Sequence, residues 1–513
     1  MTQIISTINK IWSEKPLRLV MSVAILTRLL AAFFSRGFGM QDDHFLVIEV
    51  AQAWVDGIVV PGHLQGTTHE LIPDGHSLFY MGLHFLLFKF LAVLGIFDPL
   101  FKMFIIRILH AIASIYSVWL TYKITKKLSS KKDAALAGLL MASIWFLPML
   151  SVRNLVEIFC FPFTLAGIWY LINADQKKYP FFYYIVAGFI LGMSISVRFQ
   201  LIVFVGGVGL VLLFQRKWIP AIVFGFGALV SIALLQGLID YLIWGYPFAE
   251  FIEYVKYNIQ AANDYISGPW YNYLLLIAGI FIPPVSLMLL FGFFRVWKKH
   301  LIIFLPAFLF LVFHSFFPNK QERFIFPIVP YVIIGGVIGW NSFLEISKFW
   351  RNHQKTLSRA WAFFWALNLL LLIPVSTAYS KRSRVETMVY LANYPGIKVL
   401  LAEDSNKSSV QMLPRYYSEQ WMQILYKSKT EVKSYTADSI PCSVSQASFV
   451  LFYSDENLLA RVDSMKKEIP SLVYEKTFMP GMIDKVMHRL NPVNRNETIY
   501  MYRNNDITKK TDQ

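Results

Sequence analysis

Lys123-Ile124-Thr125-Lys126-Lys127-Leu128-Ser129-Ser130-Lys131-Lys132 is a dense basic stretch between two long apolar runs. The side of a membrane on which it lies decides how the chain is threaded. Short basic loops of multi-pass proteins stay on the cytoplasmic side. The N-terminus carries Lys10, Lys15 and Arg18 around the start of its first apolar run, about Leu17 to Phe34, with no small-residue cleavage site after it. It reads as an uncleaved first helix running from inside to outside. For the 123–132 cluster to lie inside as well, only one further span can intervene.

Two apolar runs compete for that place, Leu78 to Phe97 and Lys102 to Tyr122. Counting both puts the cluster outside, so Leu78 to Phe97 is read as lying along the membrane surface or re-entering. The later basic loops, Gln176-Lys177-Lys178, Gln215-Arg216-Lys217, Lys298-Lys299-His300 and Lys348 to Arg359, then all fall inside. The spans predicted are about 17–34, 102–122, 133–149, 155–172, 181–197, 199–214, 219–239, 272–294, 301–317, 325–342 and 360–378. With about 11 transmembrane helices, the C-terminus lies outside.

Composition agrees with this threading. The chain is 56% hydrophobic and only 16% charged, against roughly 25% charged in soluble domains. The net charge of +16 sits in short clusters between apolar runs and forms no stripe, so loop bias explains it and nucleic acid is not an expected partner. Cys160 lies in an apolar run and Cys442 in the polar tail, which indicates no disulfide framework.

Residues 1–379 therefore read as a transmembrane domain and 380–513 as a small C-terminal α/β domain outside the membrane. In that tail, Ile397 to Ala402, Phe449 to Tyr453, Leu472 to Tyr474 and Thr498 to Tyr502 are expected strands. Ser418 to Lys427 and Asn457 to Glu468 carry helical pattern.

On this threading the polar residues crowd one face. Asp42, Asp43 and His44 follow span one. Arg153, Asn154 and Glu157 lie between spans three and four, and Arg198 and Gln200 between spans five and six. Trp270 and Tyr271 sit in the long loop from Asp240 to Tyr273, while His314, Lys320, Glu322 and Arg323 join spans nine and ten. Polar groups at membrane depth are costly and mark candidate sites. Carboxylates in one loop and cations in others suit transfer of a sugar from a lipid phosphate. A carboxylate removes the proton of the attacking hydroxyl, and Lys and Arg neutralise the departing phosphate. Single displacement would invert the anomeric carbon. An Asp-Asp pair is more often a solvated turn or helix cap, and Trp270 and Tyr271 suit an interfacial aromatic belt equally well. Arg28, inside the first span, would snorkel or pair with an acid.

Gln41-Asp42-Asp43-His44-Phe45 resembles the His-Pro-Asp-Glu-x-Phe-Gln signature of glycosyltransferase family 22, the mannosyltransferases of GPI-anchor and N-glycan precursor assembly. His314-Ser315-x-x-Pro318-x-Lys320-x-Glu322-Arg323-Phe324 is similar to that family's His-Lys-Glu-x-Arg-Phe segment. Asn154-x-x-Glu157 and Gly268-Pro269-Trp270-x-x-Tyr273 match two further elements, in the family's order over residues 17–345. The chain departs where Met40 and Gln41 replace His-Pro, Asp43 replaces Glu, Leu46 replaces Gln and Asn319 replaces a His.

The resemblance implies the GT-C fold with surface-lying helices on the outer face. It also implies an inverting transferase of a hexose, mannose in this family, from a polyprenyl-phosphate donor to a glycan or glycolipid acceptor. By the match Asp42 is the base with Asp43 supporting it. His314, Lys320, Arg323 and Arg198 bind the donor phosphate, and His44, Asn154, Glu157, Gln200, Glu322, Trp270 and Tyr271 bind substrate. No cofactor is expected, with a divalent metal left open, and the spacing of His63, His69, Glu70, Asp74 and His76 fits no standard metal site. Membrane lipids are expected partners. The expected location is a bacterial inner membrane, or an ER membrane in a eukaryote, with the site on the periplasmic or luminal face. The alternatives are a GT-C transferase of another lipid-phosphate sugar, or a polytopic transporter or flippase, whose repeated halves the sequence lacks.

Overall fold

The structure, a computed structural model, describes residue 12 and residues 14–58, 73–264, 267–434, 443–491 and 495–508 of the 513. The chain forms two compact units. One comprises residues 1–34, 75–80 and 106–377, and the other residues 35–74, 81–105 and 378–513. The 380–513 tail is thus joined in its unit by the stretch that carries Asp42 and Asp43.

The first unit is helical. Among the described residues, seven helices are long and apolar enough to cross a bilayer. They are Pro16–Phe34, Pro99–Leu128, Val156–Ala174, Pro180–Val197, Trp218–Trp244, Glu322–Ile346 and Gln354–Ser376. Val285–Lys298 and Leu301–Phe316 make an eighth crossing if taken as one, bent by 119°. These are fewer than the eleven expected, because several apolar runs are broken within the span. Residues 133–149 divide into Lys131–Ser143 and Leu147–Val152, the second with Pro148 in its first turn. Residues 272–294 divide into Asn272–Ile280 and Val285–Arg295 around Pro283 and Pro284, which lack the N–H that a continuing helix needs. Phe199–Phe214 and Leu78–Val93 are shorter apolar helices. At 1.5 Å per residue, the 16 residues of Leu78–Val93 reach about 24 Å, short of a hydrocarbon core of about 30 Å.

Broken helices leave backbone groups that lipid cannot satisfy. Arg28, fully buried, solves one such end. Its guanidinium donates to the carbonyls of Met141, at 2.8 Å, and Ala142, the last turn of Lys131–Ser143, and to Ser114 Oγ at 3.1 Å. It neither snorkels nor pairs with an acid, because those orphan carbonyls supply the acceptors. Asn368 does the same beside it, donating to Ser143 O at 2.7 Å and accepting from Trp145 N at 2.9 Å.

Close packing of Val285–Arg295 on Val329–Ile346 depends on small residues. A Cβ placed on Gly292 would lie 2.0 Å from Gly336 O, and one on Gly339 would lie 1.9 Å from Gly292 O. Small residues let membrane helices approach backbone to backbone. Gly292→Leu should therefore force the pair apart and cost about 1–3 kcal/mol, read as a lower melting temperature in detergent.

The second unit holds a six-stranded sheet: β1 Val399–Asp404, β2 Gln423–Ser428, β3 Val432–Ser434, β4 Phe449–Tyr453, β5 Leu472–Phe478 and β6 Ile499–Asn504, in the order β3-β2-β1-β4-β6-β5. β1 is central and parallel to β2 and β4; β3, β5 and β6 pair antiparallel. β1, β4, β5 and β6 fall on the four expected strands. The helix expected at Ser418 to Lys427 is instead a 3-10 turn ending at Ser418, then β2. Ile424-Leu425-Tyr426 is buried beside Leu400 to Ala402, and a short apolar run buried on both faces has no helical signature to separate it from a strand. Leu458–Glu468 packs Val462 and Met465 onto the sheet with Val450 and Phe452.

Candidate active site

In the second unit, the chain after the first long helix turns at Gly37, whose φ of +78° and 1.9 Å Cβ approach to Ser380 O leave room for no side chain. It then enters a π-helix over Asp43–Glu49, with Asp42 as its N-cap. Such segments are rare and recur at functional sites. Asp42 is exposed, whereas Asp43 is 7% exposed, so the two adjacent acids differ in access to a substrate.

His44 is buried between two rings, stacked on Phe38 at 4.5 Å and Tyr417 at 5.4 Å, with Glu49 4.0 Å away. Lys381 and Arg384 lie over the Phe38 ring at 4.3 and 5.2 Å. Lys381 also donates to Gly39 O, so cations of the C-terminal segment brace the acid-bearing turn. Glu49 receives Tyr416 N at 3.2 Å and faces Arg415 at 3.7 Å. Nothing in the sequence singled out Lys381, Arg384, Glu49 or Arg415, because the contacts that bring them to this turn join residues more than 300 apart in the chain.

Burial, with Lys381 and Arg384 nearby, pushes the His44 imidazole down to about 3. Burial pushes Glu49 up to about 7, against the opposing pull of Arg415. His44 in the fold therefore refuses a proton that the unfolded chain takes up near its ordinary 6.5. The stability this represents is present above pH 6.5 and is lost as pH falls toward 3. Glu49 acts in the other sense: its contribution is present below 4.5 and is lost as pH rises through about 7. Between about pH 6.5 and 4.5 the two contributions nearly cancel, so the expected result is a stability that changes little there and falls on further acidification below about pH 4.5, with a slope approaching 1.4 kcal/mol per pH unit. His44→Gln should flatten that slope.

In the first unit, the candidates converge on Glu157, fully buried in the first turn of Val156–Ala174. Arg198 Nη2 lies 3.2 Å and Arg323 Nε 3.8 Å from its carboxylate. Arg198 Nε donates to Gln200 Oε1 at 3.1 Å and Arg323 Nε to Gln321 Oε1 at 2.9 Å. Phe324 packs beneath both guanidiniums, at 5.1 and 5.8 Å. Arg153 and Leu155, both extended, separate two helices, with Asn154 between them. Among the described residues neither polar atom of the Asn154 amide has a hydrogen-bond partner although both are buried, a state that ordinarily calls for an explanation such as a ligand.

Lys320 donates to the carbonyls of His314, at 2.9 Å, Ser315, at 2.6 Å, and Phe317, at the C-terminal end of Leu301–Phe316. An ammonium has three donors, so Lys320 caps that helix and its charge is held at a fixed point. His314 is buried, Nδ1 on Phe310 O at 2.9 Å, with no hydrogen-bond partner for Nε2 among the described residues. Two guanidiniums thus face one buried carboxylate, a net positive charge suited to an anion. Glu322 is exposed. Trp270 and Tyr271 are 55% and 44% exposed, in edge contact at 5.8 Å.

Of the histidine-rich loop, His63, His69 and Glu70 lie outside the described residues. His76 and Gly75 donate backbone N–H groups to Glu250 at 3.2 and 2.8 Å. Among the described residues no three His, Cys, Asp or Glu side chains gather as a metal would need.

The chain resembles two crystal structures of ArnT from Cupriavidus metallidurans. One is bound to undecaprenyl phosphate (TM-score 0.62, 13% identity, 95% of this chain and 97% of that one) and one is in the apo state (TM-score 0.61, 13% identity, 96% and 99%). It also aligns with the oligosaccharyltransferase AglB from Archaeoglobus fulgidus (TM-score 0.48, 10% identity, 98% of this chain and 75% of that one). A comparison with curated protein sequences found no match. The ArnT likeness shows a GT-C fold, a helical membrane part with a small C-terminal sheet domain. The model of the Alg9-like mannosyltransferase family matches residues 19–418; the chain belongs to that family and is a multi-pass membrane glycosyltransferase.

Proposed function

We propose that the protein transfers mannose from a polyprenyl-phosphate donor to a hydroxyl of a glycan or glycolipid, with inversion, on the periplasmic or luminal face of the membrane. The observation that carries this reading is the pair of guanidiniums, Arg198 and Arg323, against buried Glu157. It fits a leaving group whose negative charge grows as the bond to the sugar breaks. ArnT, which shares the fold, holds undecaprenyl phosphate in one structure, a donor-type lipid.

The acceptor oxygen bonds to the anomeric carbon while the bond from that carbon to the phosphate oxygen breaks. The hydroxyl proton passes to Asp42, the exposed acid of the pair, and polyprenyl phosphate leaves with both electrons of the broken bond. Asp43 supports Asp42. Arg198 and Arg323 hold phosphate oxygens, with Lys320 and His314 beside them, and Arg is suited to bind two such oxygens at once. Asn154 offers an amide to substrate hydroxyls, and His44, Gln200, Glu322, Trp270 and Tyr271 complete the substrate contacts, His44 by supporting the acid-bearing turn. Because the acid motif and the residue before Lys320 depart from the family pattern, the donor is tested directly. Membranes containing the protein are incubated with labelled polyprenyl-phosphate mannose, glucose and galactose. Label from the mannose donor should reach a glycan product. Transfer from another of these sugars alone would replace mannose as the substrate.

A further inference from the structure

The second unit contains a cavity of about 240 Å³ that the reaction above does not use. Its wall combines aromatic surface from Trp421 and Tyr416 with hydrogen-bonding groups from Gln52, Asp56, Lys102 and Glu419. We propose that this cavity binds a saccharide ring, as a subsite for the acceptor glycan. The acceptor role rests on the function proposed above; saccharide binding itself does not.

Four features favour a sugar. First, the wall is mixed: a pyranose offers an apolar C–H face and a rim of hydroxyls, which need a flat aromatic and a ring of donors and acceptors. Second, charge is balanced, since Lys102 and Arg415 oppose Asp56 and Glu419. A phosphate would meet as much repulsion as attraction there, and a neutral polar ligand meets neither. Third, the lining is held in place before any ligand arrives. Trp421 Nε1 donates to Asp56 Oδ2 at 2.8 Å, and Arg415 lies over the indole at 5.5 Å. Lys102, 3% exposed, donates to Gln52 Oε1 at 3.0 Å. Gln420 pins the backbone, accepting from Gly396 and Ile397 and donating to Leu391 and Tyr394. Fourth, Glu419 has φ +57°, a left-handed conformation uncommon for a non-glycine residue. Such local strain gathers at ligand sites. With each water taking about 30 Å³, the volume corresponds to about eight waters, enough for one ring and too little for a glycolipid's tail.

The test uses the purified full-length protein in detergent, without donor. Ligand-observed saturation-transfer NMR is recorded with methyl α-mannopyranoside and a short manno-oligosaccharide as probes. The wild type should transfer saturation to the sugar C–H protons, and Trp421→Ala should weaken binding at least about tenfold. Trp421→Phe, which keeps an aromatic face, should retain part of it, and Asp56→Asn should lose part. Melting curves of each variant report folding, and the two milder changes keep the test valid if Trp421→Ala unfolds. In transfer assays the same variants should raise KM for acceptor and leave KM for the lipid donor unchanged. No saccharide signal in the wild type overturns the proposal. So does a signal equal in the wild type, Trp421→Ala and Asp56→Asn, or a signal from glycerol phosphate in place of sugar. Sugar binding without transfer from any lipid phosphate would sink the proposed reaction and leave the cavity's ligand standing. Transfer with unchanged acceptor KM in every variant would sink the cavity proposal alone.

Discussion

Asp42→Asn is expected to lower sugar transfer by about 10²–10⁴-fold, the range in which a positioned general base contributes, while protein level and melting temperature stay near those of the wild type. Stability should hold because Asp42 is exposed. The amide keeps the carboxylate's shape but cannot accept a proton, so the loss should appear in kcat more than in KM for either substrate. Asp43→Asn is expected to act differently. Asp43 is 7% exposed, so that change should lower stability as well as rate. Labelled transfer in membranes, normalised to protein amount, reads both. Wild-type activity in Asp42→Asn removes Asp42 from the mechanism.

Glu157→Gln should be the most destabilising single change in the candidate site, by about 3–5 kcal/mol, the usual cost of removing one partner from a buried ion pair. Glu157 is fully buried and faces both Arg198 and Arg323, so its loss leaves two guanidiniums in a low-dielectric interior without their shared counter-charge. Burial alone would make a double loss of charge cheaper than a single one. Glu157→Gln combined with Arg198→Gln should therefore recover part of the stability without recovering transfer. Melting of the purified variants in detergent measures the first effect. A melting temperature equal to the wild type in Glu157→Gln would show that the pair carries no such energy.

Much of the helical membrane part was legible because span length and loop charge are physical constraints read directly from residues. Loop charge also made Leu78 to Phe97 something other than a span, and the helix found there has only 16 residues. What hydropathy could not show is breakage. A window over 133–149 is apolar whether or not the helix stops at Ser143, and the side chains that tolerate the break, Arg28 and Asn368, come from distant segments. The same limit applies to the tail. β1 and β4 were visible as short apolar runs, while β2 was read as helix because its burial comes from a parallel neighbour, a tertiary fact. In the site, the candidate residues Glu157, Arg198 and Arg323 do come together in the first unit. The groups that brace Asp42 and Asp43, namely Lys381, Arg384, Glu49 and Arg415, were missed because no spacing or motif links residue 39 to residue 381. Likewise Lys320, expected to meet a phosphate directly, gives its donors to three carbonyls, a helix end that only the fold reveals.

In the proposed reaction the leaving group is a lipid phosphate. It is tested by reconstituting the purified protein into proteoliposomes with an acceptor glycolipid and offering either polyprenyl-phosphate mannose or a nucleoside-diphosphate mannose. The expected result is mannosylated acceptor and free polyprenyl phosphate in equal amounts from the first donor and no product from the second. Transfer from the nucleotide sugar, with none from the lipid donor, would contradict the account.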